Sequence, residues 1–267
     1  GLTLNSTNKL MFNDASQFIQ GSSATVLSLG ATDEIDLTAT AMDFNGTVTI
    51  SGDTTLEDGA DLITATAGTS NFRAGVNAGN SIQSGGNFNV TVGDEAGTAI
   101  TTGDSNVLIG YQTGDAITTG VQNVAVGQAA LSAEDTANYS TAVGHAALFT
   151  QNAGDVDAYN TAVGYKAGLS VTSGVSNTIL GGLAGDALTD ADFNVALGRS
   201  ALTDDTLGSK TVAVGYNALG SQNFTTATDT FNTAVGFQAG VAVTTGKQNT
   251  ILGGLAADAV TTGEDNV

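Results

Sequence analysis

The most constraining feature of this chain is a short block of the type NTAVGxxAG, which recurs from residue 89 onward. The blocks are aligned on their central glycine, here called the column glycine, and the intervals between the ten successive copies are 17, 17, 17, 20, 17, 17, 17, 21 and 17. A period of this length is too short for a pair of helices and too long for a hairpin repeat. It fits one turn of a parallel β-solenoid, whose turns stack about 4.8 Å apart. The column glycines are Gly93, Gly110, Gly127, Gly144, Gly164, Gly181, Gly198, Gly215, Gly236 and Gly253.

Two positions beside the column glycine predict how each turn packs. The residue before the glycine is always a branched aliphatic, from Val92 to Leu252, which predicts a column of core side chains. The third residue after it is alanine in nine copies and Thr113 in the other, which predicts a close approach of neighbouring turns. The chain is therefore expected to bury one aliphatic and one small residue in every turn.

A third position, four residues before the column glycine, is asparagine in eight of the ten copies. Stacked asparagine side chains form hydrogen-bonded ladders along parallel strands, and asparagine tolerates the left-handed conformation that a corner needs. The sequence therefore predicts a structural ladder. Its members are Asn89, Asn106, Asn123, Asn160, Asn177, Asn194, Asn232 and Asn249.

A longer period lies over the first. The fourth residue after the column glycine runs Gly, Gly, Leu, Leu, then Gly, Gly, Leu, Leu, then Gly, Ala, so the turns come in fours. The interval between Gly93 and Gly164 is 71, and that between Gly164 and Gly236 is 72. The two copies without asparagine, which carry Ser140 and Thr211, are both fourth turns and precede the two long spacings. This pattern indicates a duplicated four-turn unit closed by a longer loop, at residues 149–159 and 220–231.

The fold class that follows is all-β, with a parallel β-solenoid of 17-residue turns. No six-residue period is present, so we expect a flattened roll with two strands per turn rather than a triangular helix. Residues 1–86 show strand and turn signals outside the repeat register and are predicted to form a β-rich shaft segment. Residues 87–267 form the predicted β-roll repeat domain. Asn266 and Val267 begin a further copy, so we expect the natural polypeptide to continue.

Composition narrows the function classes. Against 26 acidic residues stand six basic ones, a formal charge of −20, which disfavours nucleic acid and anionic membranes as partners. The sequence has no apolar run long enough to span a bilayer, so we expect no membrane insertion. There is no cysteine, and the single histidine, His145, follows a column glycine where other copies carry aromatic residues. We therefore expect a structural surface role for His145 and no enzymatic activity, although paired carboxylates leave glycan hydrolysis as an alternative.

Two acidic pairs, Asp155 with Asp157 and Asp190 with Asp192, resemble the start of a calcium loop but lack the glycine and the distal glutamate that such a loop needs. We expect no cofactor and no metal site, with calcium between chains as the alternative.

Candidate contact residues come from one further column. Tyr111, Tyr165, Tyr216 and Phe237 each follow a column glycine and are candidate surface contacts, as a platform for sugar rings. Packing between chains is the favoured alternative for these residues. The two long loops are the other candidate contact surfaces, because loops on a rigid scaffold often carry recognition.

Association of several copies of the chain is expected because each turn contains few large aliphatic side chains. Ordering one residue costs about 1–2 kcal/mol of backbone entropy, whereas burying one aliphatic side chain returns about 1.5–3 kcal/mol. A thin roll lined with alanine and glycine gains by burying a second face against copies of itself. We therefore predict a homotrimer.

The blocks NTAVGYKAG (160–168), AVGYNAL (213–219) and NTAVGFQAG (232–240) resemble two groups of proteins. One is the trimeric autotransporter adhesins, whose heads form a YadA-like left-handed β-roll. The closer resemblance is to phage tail fibre proteins, which NKLMFNDASQFIQGSSATVLSL near the N-terminus also resembles.

The resemblance implies a virion protein, an intertwined trimeric rod that attaches to a glycan or protein receptor on the host. The alternatives are a bacterial surface adhesin, a glycan-degrading fibre enzyme and, least favoured, an ice-binding array of threonines.

Overall fold

The computed structural model describes residues 66–267 and three short strands nearer the N-terminus. Those strands, Leu10–Met11 (β1), Phe18–Ser23 (β2) and Val26–Gly30 (β3), form an antiparallel sheet in the order β1-β2-β3. The chain divides into two compact units, Gly1–Gly59 and Ala60–Val267. Most of the predicted shaft segment, residues 1–86, lies outside the described residues.

The second unit is a parallel β-solenoid, as the repeat predicts. Eleven three-residue strands, one from each turn, pair in parallel along the stack. They are Phe72–Ala74 (β4), Val90–Val92 (β5), Val107–Ile109 (β6), Val124–Val126 (β7), Thr141–Val143 (β8), Thr161–Val163 (β9), Thr178–Leu180 (β10), Val195–Leu197 (β11), Val212–Val214 (β13), Thr233–Val235 (β15) and Thr250–Leu252 (β16).

The register superposes equivalent residues of successive turns. Val126 pairs with Val143, and Val143 pairs with Val163 across the first of the long spacings. The longer spacings therefore add residues to a turn without shifting the strand register.

The stack contains one turn more than the ten copies seen in the sequence. Strand β4 pairs with β5 through Phe72 and Val90, and Asn71, Gly75 and Ala78 occupy the column positions of this first turn. The interval from Gly75 to Gly93 is one position longer than the common period. One full turn thus lies on the N-terminal side of the predicted division between residues 1–86 and 87–267.

The expected second strand per turn is absent from most turns of the described stack. Only Gly208–Ser209 (β12) and Thr228–Asp229 (β14) form such a pair. Elsewhere the remainder of each turn is a series of bends whose backbone groups still bond between turns, as Gly97 N does to Thr113 O at 2.9 Å. The expectation of two strands was wrong because residues in the left-handed region, such as Glu95 and Gly97, recur within every turn and prevent an extended segment.

The predicted aliphatic core column was also wrong. In a three-residue strand the middle side chain faces one side and its two neighbours face the other. Here the middle residue points inward, so Leu108 and Ile179 are fully buried while Ile109 and Leu180, which precede column glycines, are exposed. The inward residues of the ten copies are Thr91, Leu108, Ala125, Ala142, Ala162, Ile179, Ala196, Ala213, Ala234 and Ile251.

The four-turn period reflects an exchange of volume inside the solenoid. In the first and second turns of a unit, a glycine four residues after the column glycine leaves room for large aliphatics. A Cβ on Gly97 would lie 2.8 Å from Ile100 Cδ1 and from Leu108 Cδ1. In the third and fourth turns a buried leucine, such as Leu131 or Leu148, takes this position, and the inward strand residue is alanine. The large inward side chain thus comes from the strand in second turns, as at Leu108 and Ile179, and from the leucine after the column glycine in third and fourth turns.

The column glycines lie where the backbones of successive turns approach closely. All eleven have φ between 124° and 144°. A Cβ on Gly181 would lie 2.6 Å from the carbonyl carbon and oxygen of Gly198 in the next turn, a separation that real Cβ atoms do not adopt. The adjacent Gly182 is different, since its Cβ would meet only Tyr165 O, at 3.9 Å, and its φ is not left-handed.

These neighbours provide a matched pair of variants. We expect Gly181→Ala to lower the free energy of unfolding by about 3 kcal/mol, because it combines backbone strain with a clash between turns. Gly182→Ala should change it by less than about 0.5 kcal/mol. Denaturant unfolding of both variants checks this, and equal effects would contradict the close approach.

The Thr91 hydroxyl is fully buried and is the one buried side-chain polar atom of the described residues that has no hydrogen-bond partner. The equivalent positions of the nine later turns carry alanine, leucine or isoleucine, whereas the first turn carries Arg73. Thr91→Val should therefore raise the free energy of unfolding by about 1 kcal/mol, because it removes a desolvated hydroxyl at nearly constant volume. Denaturant unfolding measures the change, and a fall in stability would mean that the hydroxyl has a partner in solution.

Candidate functional site

The eight predicted ladder asparagines are all completely buried. Asn106 shows the shared geometry: its Nδ2 donates to Gly120 O at 2.9 Å, and its Oδ1 accepts the backbone N–H of Asn123 at 2.9 Å. The ladder therefore consists mainly of side chain to backbone bonds, with occasional amide contacts such as Asn106 Nδ2 to Asn89 Oδ1 at 3.1 Å. It fastens each turn to the next and leaves no amide for a ligand.

The left-handed residue of this corner is not the asparagine. It is the residue just before it, as with Phe88, Ser105 and Phe193, whose φ values are 56°, 60° and 58°. The expectation that asparagine supplies the corner conformation was wrong. Asparagine is needed instead because its side-chain amide accepts a backbone N–H of the next turn and also donates to a backbone carbonyl.

Where Ser140 replaces asparagine, a buried glutamine supplies the missing amide. Gln151 Nε2 donates to Ser140 Oγ at 2.7 Å and to Glu134 Oε2 at 2.9 Å. Its Oε1 accepts from Asn160 Nδ2 at 2.9 Å, so the ladder continues into the next unit. The other carboxylate oxygen, Glu134 Oε1, accepts three backbone N–H groups, those of residues 135–137.

The second four-turn unit repeats this arrangement with different residues. Gln222 Nε2 donates to Asp205 Oδ2 at 2.6 Å and to Thr211 Oγ1 at 3.1 Å, while its Oε1 accepts from Asn232 Nδ2 at 2.8 Å. Asp205 Oδ1 accepts the N–H groups of Gly208 and Phe224. These buried carboxylates are bound by protein donors and have no access to a substrate, so their chemistry is structural.

Sequence reasoning missed this network, although a signal was present. The seventh residue after the column glycine reads Ile100, Ile117, Glu134, Gln151 in one unit and Val171, Leu188, Asp205, Gln222 in the next. All eight are fully buried. A polar pair repeated at an otherwise aliphatic position indicates paired buried groups.

The four predicted contact aromatics, Tyr111, Tyr165, Tyr216 and Phe237, are all exposed. Tyr216 stacks on Phe237, with centroids 5.2 Å apart and an interplanar angle of 14°. Tyr165 stacks on His145 at 5.4 Å, so the histidine is part of the same surface column. Tyr111 lies two turns before His145, with Gln128 between them.

A second exposed aromatic column lies five residues before the column glycine and was not anticipated. It contains Phe88, Tyr139, Tyr159, Phe193 and Phe231. Tyr139 and Tyr159 stack with centroids 5.1 Å apart and an angle of 6°. Desolvation, and then the hydrogen bond and charge of Asp157, raise the pKa of Tyr159, so this phenol stays neutral at neutral pH.

The two long loops are bound to the stack along part of their length. Asn138 N donates to Val156 O, and Ala158 N donates to Asn138 O, both at 3.1 Å. The longest exposed runs of the loops are residues 155–157 and 225–227. The loops therefore present short tips on an enlarged corner rather than long free segments.

The cations of the repeat turns make two kinds of contact, and Lys210 makes both, since it also lies 5.4 Å from the ring centroid of Phe231. Lys210 forms an ion pair with Asp229 at 2.5 Å, and Lys247 with Glu264 at 3.4 Å. Lys166 instead lies 5.3 Å from the ring centroid of Tyr165, and Arg199 lies 5.7 Å from that of Tyr216.

A cleft of about 470 Å³ adjoins Lys166 and His145, with Phe149 and Leu169 also lining it. Its lining is mainly apolar, as in most small-molecule sites.

Three of the four aspartates in the predicted acidic pairs accept hydrogen bonds from protein donors. Asp157 accepts from Asn138 Nδ2 at 3.1 Å, Asp190 from Ser173 Oγ at 2.7 Å, and Asp192 from Val175 N at 2.7 Å. No group of three or more acidic or histidine side chains among the described residues is arranged to hold a metal ion.

Comparison of the chain with family models, with curated proteins and with solved structures found no match. Within the described residues there is also no helix that is long and apolar enough to cross a membrane.

Gln151 tests the buried network. We expect Gln151→Met to lower the free energy of unfolding by about 3 kcal/mol, because it leaves one proton of Asn160 without a partner and leaves Glu134 Oε2 with only the 3.5 Å bond from Ala153 N. The exposed Gln128→Met is the control and should be nearly neutral. Thermal unfolding of both variants measures this, and a neutral Gln151→Met would show that the network adds no stability.

Proposed function

We propose that this chain is a passive attachment element of a phage tail fibre, in which the solenoid is a rigid segment of a homotrimeric rod. As a fibre of the virion it acts outside the cell and contacts a glycan or protein receptor on the host surface. The left-handed roll and the intertwined trimer that the resemblance implies belong to this proposal.

The observation that carries the proposal is the outward face of the eleven-stranded sheet. Both flanking positions of each strand point out of the solenoid, and they carry valine, isoleucine, leucine or threonine, with Phe72 and Ala74 in the first turn. None of them is acidic, although the chain has 26 acidic residues. Charge is thus excluded from one long face, as is typical of the core of a protein interface.

The size of this face favours a covered surface. Eleven strands spaced about 4.8 Å apart and three residues long, at about 3.3 Å each, define an area of roughly 500 Å². The largest apolar patch on a soluble monomer is about 300–600 Å² and is often a contact site. The second aromatic column, which contains Phe88, Tyr139 and Phe193, borders the same strands and extends the apolar surface.

Copies of the same chain are the partners that fit best. The outward residues repeat with the spacing of the turns, so a partner must present the same spacing over about 50 Å to match them row by row. A second copy does so, and cyclic association closes the assembly without leaving an open face. The number three comes from the resemblance to trimeric fibres and adhesin heads.

A bacterial surface adhesin is the alternative, because such adhesins share the resemblance and would use the same face. Electron microscopy of the source particle separates the two functions. We expect the rod on a virion, and its presence on a cell envelope would establish the adhesin.

Assembly is tested by Val126→Asp, which places a charge in the middle of the outward face. Light scattering of the intact protein should give three times the mass of one chain, and the variant should shift toward the monomer because a charge without a partner must be desolvated. Thr119→Asp, on an exposed corner, is the control and should remain assembled. A monomeric intact protein would refute the proposal.

A further inference from the structure

We propose that the surface column across Gly182 binds an acidic glycan, with a sugar ring seated between Tyr165 and Arg199 and its anionic groups on Arg199 and Lys166. This inference rests on the proposed attachment function and names the chemistry of one receptor contact.

The first argument is an interruption in a stacked column. The residues that follow successive column glycines are His145, Tyr165, Gly182, Arg199, Tyr216 and Phe237. Rings in this column stack at 5.2–5.4 Å, with interplanar angles of 14–16°. Only Gly182 contributes no side chain to this run, so one turn of the column is open between a phenol ring and a guanidinium group.

The width of the opening suits a single ring. Tyr165 and Arg199 are two turns apart, which corresponds to about 10 Å along the stack. A ring placed midway lies about 5 Å from each, close to the spacing of successive turns. Pyranose rings present an apolar C–H face to aromatic side chains, and tyrosine combines a large contact area with a polar hydroxyl.

The backbone does not require glycine at this position. Gly181 has φ 136° and no space for a Cβ, whereas the Cβ of Gly182 would meet only one atom, at 3.9 Å. Position 182 therefore accommodates a side chain without strain, and the opening is a property of the sequence rather than a consequence of the fold.

Charge defines the class of sugar. Lys166, beside Tyr165 in the turn before the opening, and Arg199, in the turn after it, lie against tyrosine rings instead of carboxylates, and Arg199 Nη1 also donates to Tyr216 Oη at 3.4 Å. An ammonium and a planar guanidinium bind carboxylate or sulfate through charge-assisted hydrogen bonds, and the guanidinium binds them in a bidentate manner. An acidic peptide also carries carboxylates, but it lacks a saturated ring for the opening.

The cleft beside Lys166 extends the site. With a volume of about 470 Å³ and lining residues that include His145, Phe149 and Leu169, it lies in the turns of His145 and Tyr165, on the N-terminal side of the opening, and has space for a further sugar unit. A short acidic oligosaccharide is therefore expected to bind more tightly than its monosaccharide.

The test uses the full chain in its assembled state, with isothermal titration of oligogalacturonate and chondroitin sulfate oligosaccharides and with neutral glucose oligosaccharides for comparison. Gly182→Tyr fills the opening and should weaken binding of the acidic oligosaccharides at least tenfold without changing the melting temperature. Gly254→Tyr is the matched control. Gly254 also follows a ring, Phe237, and its Cβ would meet nothing closer than 3.8 Å, but it lies three turns from Arg199. This variant should bind as the unmodified chain does.

The cations are tested separately. Arg199→Gln and Lys166→Gln should each weaken binding about fivefold, whereas Lys247→Gln, which removes an ion-paired lysine, should leave binding unchanged.

Failure of both acidic probes to bind, equal binding of the neutral oligosaccharides, preferential binding of polyglutamate, or an equal loss in Gly254→Tyr would each overturn the inference. A trimeric chain that attaches to host cells but binds neither acidic probe overturns this inference alone. A monomeric chain that does not attach refutes the proposed function as well.

Discussion

The structure depends on the superposition of like residues in successive turns, held by hydrogen bonds between one turn and the next. Buried asparagine amides accept an N–H from the following turn and donate to a carbonyl of a corner, as Asn106 does with Asn123 and Gly120. Such bonds are satisfied only in one register, and a buried amide left without partners costs about 1–3 kcal/mol. The same register brings column glycines into contact and places all outward side chains in straight rows.

This dependence explains why the sequence alone predicts so much of the solenoid and where prediction stops. Identical backbone requirements at every turn produce identical residues, so the period, the alanine column and the small residues at close approaches are visible without coordinates. The sequence does not show whether Val126 and its equivalents point inward or outward. In a strand of three residues, the repeat is compatible with an inward middle residue and equally with two inward neighbours. The first turn escaped notice since Arg73 and its neighbours depart from the block and the interval to Gly93 is one position longer than the common period.

The candidate site was less predictable than the fold. Exposure of Tyr165 and Tyr216 follows from their column, but the opening at Gly182 and the placement of Lys166 and Arg199 depend on which turns lie next to one another. The Glu134 and Gln151 network was hidden for another reason: its two side chains come from different turns, and their pairing has meaning only once both are known to be buried. The surface chemistry is thus carried by regularly spaced side chains, and a single substitution changes one position of a column without altering the stack of turns.

The most direct test of this account is backbone hydrogen exchange at the ladder positions. The N–H groups of Asn106, Asn123, Asn177 and Asn194 each donate to the side-chain oxygen of an asparagine in the preceding turn. They should exchange only through global unfolding, with protection far above that of the exposed loop residues 225–227. If these four amides exchange as fast as the loop, the turns are not fastened by the asparagine ladder, and the central claim is wrong.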